Sequence, residues 1–151
     1  MMRIWIDADA CPKAIKEVIY KASMRLQIPV TLVANSQLSI PARSLVIAVQ
    51  VEKGDDIADQ YIVDHVQAND LVITADIPLA ALVVEKGAVA LNPRGELYTA
   101  ENVREHLSYR NHMQSLRGGG VITGGPSSLG AKDKEMCSNA LNRYLTAQHK
   151  K

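Results

Sequence analysis

Five short apolar runs constrain this chain more than any other feature. They are Arg3–Ile6, Pro29–Ala34, Leu45–Val51, Leu71–Thr74 and Ala88–Leu91. Each reads as continuous rather than alternating. A strand with one wet face alternates apolar and polar residues, whereas a strand covered on both faces does not. The segments between the runs carry helical spacing instead. Pro12 fits the first turn of a helix that reaches about Leu26, with Ile15, Val18, Ile19, Ala22 and Leu26 on one face. Gly54 ends a connection, and Asp55 or Asp56 caps a helix carrying Ile57, Tyr61, Ile62 and His65. Leu79–Lys86 forms a third helix, closed by Gly87. Strands alternating with helices predict an α/β fold with a mainly parallel central sheet of about five strands.

Such sheets collect their ligands at the carboxyl ends of the strands. Carboxylates follow three of the predicted elements. Asp7 ends the first run, with Asp9 two residues on. Gly54-Asp55-Asp56-Ile57-Ala58-Asp59 opens the second helix, where Asp56 and Asp59, or Asp55 and Asp59, share a face. Asp76 stands between the fourth run and the third helix. Like charges held close repel unless a cation sits between them. Asp7 is the better ligand. Asp9 is a second ligand, a water positioner or the N-cap of the first helix. The bland alternatives are helix caps and acids favoured at the positive helix end; they explain Asp55 or Asp56 and Asp76 well, and Asp59 less well. Oxygen-only donors suit Mg²⁺ or Mn²⁺, which keep several waters and lean on substrate phosphates. Metals so held serve phosphodiester hydrolysis.

The 151 residues fit one domain, 1–151, around one core. With no Phe and a single Trp, the core is built from Ile, Val, Leu, Ala and Met, and a base-stacking platform for single strands is disfavoured. No stretch approaches the ~18–20 apolar residues of a membrane span. Asp7 interrupts the first run, against a signal peptide. Cys11 and Cys137 form neither a ligand spacing nor a disulfide framework, which predicts a reduced, cytoplasmic protein. Cys11 lies at a helix start, yet Glu17 occupies the Arg position of a phosphatase Cys-x5-Arg loop, so a packed role is expected. The four His residues form no ligand spacing.

The net charge of +1 hides an asymmetry. Residues 1–92 hold 8 Lys/Arg against 11 Asp/Glu, whereas residues 93–151 hold 9 against 5. An acidic site beside a basic rim suits a phosphate-bearing partner. Arg94, Arg104, Arg110, Arg117, Lys132 and Lys134 are candidate phosphate contacts, or plain surface charge. Asn92–Leu97 reads as a turn or small hairpin, and Ala100–Met113 as an amphipathic helix. Residues 117–130 form a flexible Gly-rich loop without a Walker Gly-Lys-Ser/Thr. Asp133–Tyr144 is the last helix, with Met136, Ala140, Leu141 and Tyr144 toward the core.

At Ile6-Asp7-Ala8-Asp9-Ala10-Cys11-Pro12 the chain resembles the YaiI/YqxD family of uncharacterised bacterial proteins. The resemblance continues through Gly54–Tyr61, through Asp70–Ala80, and to Gly124-Gly125-Pro126, Asp133 and Asn139-Ala140-Leu141. Two departures fall near the tail: Gly124 stands where a Lys is common, and Ser127-Ser128-Leu129 replaces an apolar or aromatic stretch. The resemblance implies a PIN-like three-layer sandwich, a fold of metal-dependent ribonucleases. It implies metal ligation by Asp7, Asp56 or Asp59, and Asp76.

The expected function is therefore a Mg²⁺/Mn²⁺-dependent nuclease acting on RNA, with Asp7, Asp9, Asp56, Asp59 and Asp76 as catalytic candidates. A binding protein without turnover is the alternative, holding metal or RNA. Asp7-Ala8-Asp9 also imitates the nucleophile motif of haloacid-dehalogenase phosphatases. Asp9 and Gly54 lie only 45 positions apart, however, which leaves little room for the remaining motifs of that class.

Overall fold

The computed structural model describes residues 2–8, 11–35, 40, 45–54, 57–105 and 131–149. At its centre is β1 (Ile4–Asp7), buried along its whole length. It pairs in parallel with β2 (Val30–Ala34) on one side and β4 (Leu71–Ile73) on the other. Beyond β2 lies β3 (Val46–Gln50), and beyond β4 lie β5 (Val89–Leu91) and the antiparallel β6 (Leu97–Tyr98). The order is β3-β2-β1-β4-β5-β6. The five parallel strands are the five apolar runs, and the predicted hairpin adds the short sixth.

Period two sorts the strand side chains into two layers. Ile4 and Ile6 of β1, Leu32 of β2, and Leu71 and Ile73 of β4 enter one core. Trp5, Val33 and Val72 enter the other. Helix α1 (Lys13–Leu26) covers the first face through Ile15, Ile19 and Ala22, beside α4 (Ala131–His149) through Cys137, Leu141 and Leu145. Helices α2 (Ile57–His65) and α3 (Ile77–Glu85) cover the second face through Ile62, Leu79, Ala80 and Val83. The result is a three-layer α/β sandwich.

The tail helix departs from its expected face at one residue: Ala140, Leu141 and Tyr144 pack on the core, but Met136 is exposed, and Cys137 and Leu145 are fully buried. Residues 137, 141 and 145 repeat every four positions and form the seam, which puts Met136 about 100° away from it. β3 differs as well. Its apolar run predicts cover on both faces, yet Ile47 is 55% exposed, because β3 is the edge of the sheet. No helix among the described residues is long and apolar enough to cross a membrane. The predicted segments at 106–113 and 117–130, with Arg110, Arg117, His106 and His112, lie outside the described residues, as does most of the Asn35–Ser44 loop.

Two anchors hold this frame. Asp70, just before β4, is buried and accepts three hydrogen bonds, from the Arg3 and Gln67 amides and the Trp5 indole, each at 3.0 Å. It ties the amino-terminal ends of β1 and β4 together. At the opposite end, the Asn92–Gly95 turn packs on α4, where Arg94 pairs with Asp133 at 3.1 Å.

Candidate functional site

The strand order reverses at β1: β2 departs to one side and β4 to the other. The crevice at the carboxyl ends of β1 and β4 is therefore the topological switch point, where sheets of this class bind ligands. Asp7 is the last residue of β1 and is only 7% exposed. Parity places it on the Trp5 side, the face covered by α2 and α3. Thr74 follows β4 with the parity of Val72, so it reaches the same face. Its hydroxyl donates to Asp7 Oδ2 at 3.2 Å. Thr74 Oγ1 in turn accepts from the Asp76 amide at 3.0 Å. One threonine thus joins the end of β1 to the turn that enters α3.

Asp76 is the N-cap of α3. Its Oδ1 accepts from the Leu79 amide at 3.1 Å, and Pro78 sits in the first turn, where its missing N–H is no loss. The helix begins at Ile77, two residues earlier than its periodicity suggests, because Ile77 and Pro78 fit inside the first turn. The bland reading of Asp76 as a cap is therefore correct. A cap occupies one carboxylate oxygen, and the side chain also lines a cleft of about 380 Å³ between α2 and α3. Asp59, in the first turn of α2, lines the same cleft. Its floor is apolar, from Val63, Leu79 and Leu82.

The structure thus joins Asp7 to Asp76 through Thr74, and Asp76 to Asp59 across the cleft. Asp9, Asp55 and Asp56 lie outside the described residues. The N-cap position of α1 is Pro12, which makes no side-chain cap bond, and the capping role expected of Asp9 lies outside the described residues. Among the described residues no three His, Cys, Asp or Glu side chains gather into a metal-holding group. Mg²⁺ is commonly held by one or two carboxylates, with waters and substrate phosphates completing its shell.

Burial pushes the Cys11 thiol up to about 12; Lys16 opposes this in part, and Cys137 and Asp7 add to it. Cys11 is a protonated core residue at neutral pH, as its packed reading expects. His65 stacks on Tyr61 with ring centroids 4.0 Å apart, which fits its reading as an ordinary residue. Arg94 is engaged with Asp133. Arg104, Lys132 and Lys134 are exposed.

Thr74 is the site residue that the sequence reading passes over. Its signal is local: a Thr two residues before an Asp at a strand end is the pattern in which a hydroxyl accepts from the i+2 amide.

Comparison with known proteins gives a consistent family. The family model described as "Uncharacterized BCR, YaiI/YqxD family" matches residues 5–147. A UPF0178 protein of Citrifermentans bemidjiense is 59% identical over 145 residues, covering 96% of this chain and 94% of its own. One from Geobacter sp. (strain M21) is 60% identical with the same coverage. One from Shewanella sp. (strain MR-4) is 56% identical over 143 residues, 95% of each chain. No solved structure matches.

Proposed function

The chain belongs to the YaiI/YqxD family of uncharacterised proteins, and from that premise we propose that it is a Mg²⁺- or Mn²⁺-dependent nuclease of PIN-like fold that hydrolyses phosphodiester bonds in RNA. The observation that carries this reading is the buried Asp7 at the β1/β4 switch point, bonded through Thr74 to the segment that bears Asp76. A carboxylate in a nearly dry crevice at a strand end is a position at which a divalent cation would be held, and the Thr74 hydroxyl orients it there.

In this reading Asp7 and Asp76 hold the divalent cation, with Asp59 across the cleft and Asp56 and Asp9 as further candidates from the sequence. When bound, the cation supplies an activated water and a charge that stabilises the leaving oxygen. Thr74 fixes the Asp7 carboxylate and lets the Asp76 turn close over the site. The apolar wall of the cleft, Val63, Leu79 and Leu82, excludes water from one side of the phosphate.

Mn²⁺ binding by calorimetry tests the site. Wild-type protein is expected to bind Mn²⁺, and Asp7→Asn and Asp76→Asn are each expected to weaken binding at least about tenfold. Both replacements keep the shape, and Asn remains a good N-cap, so the measured loss reports charge rather than folding. Equal Mn²⁺ affinity in all three proteins would refute the assignment. RNA binding that survives chelation, with no cleavage, would favour the non-catalytic reading.

A further inference from the structure

Lys134, one of the tail's basic residues, lies on the face of the sheet opposite the α2–α3 cleft. Helices α1 and α4 pack side by side on the face of the sheet opposite α2 and α3. Both run from the carboxylate edge toward the other edge: α1 follows β1 and leads into β2, while α4 starts with Asp133 at the turn after β5 and reaches Asn69, before β4, through the Tyr144 hydroxyl. Between them lies an open groove of about 390 Å³. It is lined by Lys21 and Arg25 of α1 and by Lys134, Ser138 and Asn139 of α4, with Glu135 as its one acid among these described lining residues. Arg25 is held in place by Asn142, whose Oδ1 accepts from its guanidinium at 2.5 Å. The floor is small and apolar, from Val18 and Ala22, with Ala131 at the rim.

Three cations along a polar groove, with hydroxyl and amide donors between them, match a run of phosphates. Among the described residues no aromatic side chain lines the groove, so these residues offer bases nothing to stack on. From Val18 to Arg25 the groove runs about 10 Å at the rise of an α-helix.

We propose that the α1–α4 groove binds the sugar-phosphate backbone of a single-stranded nucleic acid, independently of metal and sequence. The inference rests on the reading of the substrate as a polynucleotide. It adds a second contact, on the far face of the sheet, that positions the strand whose scissile phosphate lies at the carboxylate edge. Contacts of this kind position rather than specify.

The test is fluorescence anisotropy with a labelled 12-nucleotide single-stranded RNA in EDTA. It compares wild-type protein with the double variant Lys21→Glu/Lys134→Glu and with Asp7→Asn. Both lysines are exposed, and circular dichroism checks that the fold is kept. The double variant is expected to lose at least about tenfold in affinity, and its dependence of log K on log salt is expected to flatten by about 1.4, at ~0.7 per phosphate contact on single strands. Asp7→Asn removes a charge that repels the phosphate when no cation is present, so it is expected to bind at least as tightly as wild type; a loss of affinity there would place the metal-free contact at the carboxylate edge and overturn the groove. Unchanged affinity in the double variant would overturn the groove, whatever the cleavage assay shows. Absence of wild-type binding would overturn it too, as would displacement by AMP at concentrations comparable to unlabelled RNA, which would mark a small-anion site. Metal-free binding lost in the double variant, in a protein that never cleaves, would sustain the groove while the nuclease reading fails.

Discussion

At the scale of single residues, two buried aspartates of similar sequence context serve opposite ends of one strand pair. Asp7 closes β1 and accepts a bond from the Thr74 hydroxyl. Asp70 opens β4 and receives three N–H bonds, which satisfy its charge within the protein. Asp70 is thus a structural anchor. Its removal leaves the Trp5 indole and two amides without their acceptor, at about 1 kcal/mol or more each. Asp70→Ala is expected to cost about 3 kcal/mol and to lower Tm by about 6–12 °C, measured by differential scanning calorimetry. An unchanged Tm would mean that the three donors find other partners. The sequence does not distinguish the two residues, because burial and donor count belong to tertiary contacts. What it does reveal is position: each Asp flanks an apolar run, one before it and one after it.

At the scale of elements, each parallel strand and each described helix was legible in hydrophobic spacing, and the misreadings have local causes. On α4 Ala140, Leu141 and Tyr144 pack against the core as their spacing predicts, whereas Met136 is exposed and Cys137 and Leu145 are buried beside them. A cysteine and a methionine are both apolar, so composition alone does not say which of the adjacent pair turns inward. The hairpin packs closely on α4 at this point. Gly95 adopts φ +97°, and a Cβ there would stand 2.6 Å from the Met136 carbonyl carbon and 2.8 Å from the Cys137 nitrogen. Both neighbours are backbone and cannot yield. Gly95→Ala is therefore expected to lower stability by about 2 kcal/mol or more. Asp133→Asn, which removes the nearby ion pair, is expected to cost under about 1 kcal/mol, since that pair is partly exposed. Urea denaturation of both variants checks the ranking, and the reverse order would show that charge rather than close packing docks the helix.

At the scale of the whole molecule, topology converts a linear pattern into a site. The order β3-β2-β1-β4-β5-β6 sends Asp7 and Asp76 to one crevice and leads α2, with Asp59, to the cleft beside it. That three carboxylate regions share one edge was legible, because in a parallel sheet every strand ends on the same side. Where the basic residues go was not. The sequence placed a basic rim beside the acids, whereas Lys134 lines a groove on the opposite face together with Lys21 and Arg25, two residues of the acidic half. Charge counted along the chain cannot say which helices become neighbours. The central claim is that the carboxylate edge hydrolyses RNA with a divalent cation, and the direct measurement is cleavage of a single-stranded RNA panel in Mn²⁺ by wild-type and Asp7→Asn protein. The account predicts EDTA-sensitive cleavage by the wild type and a loss of at least about a hundredfold in Asp7→Asn at unchanged fold; no cleavage by the wild type, or equal cleavage by both, would contradict it.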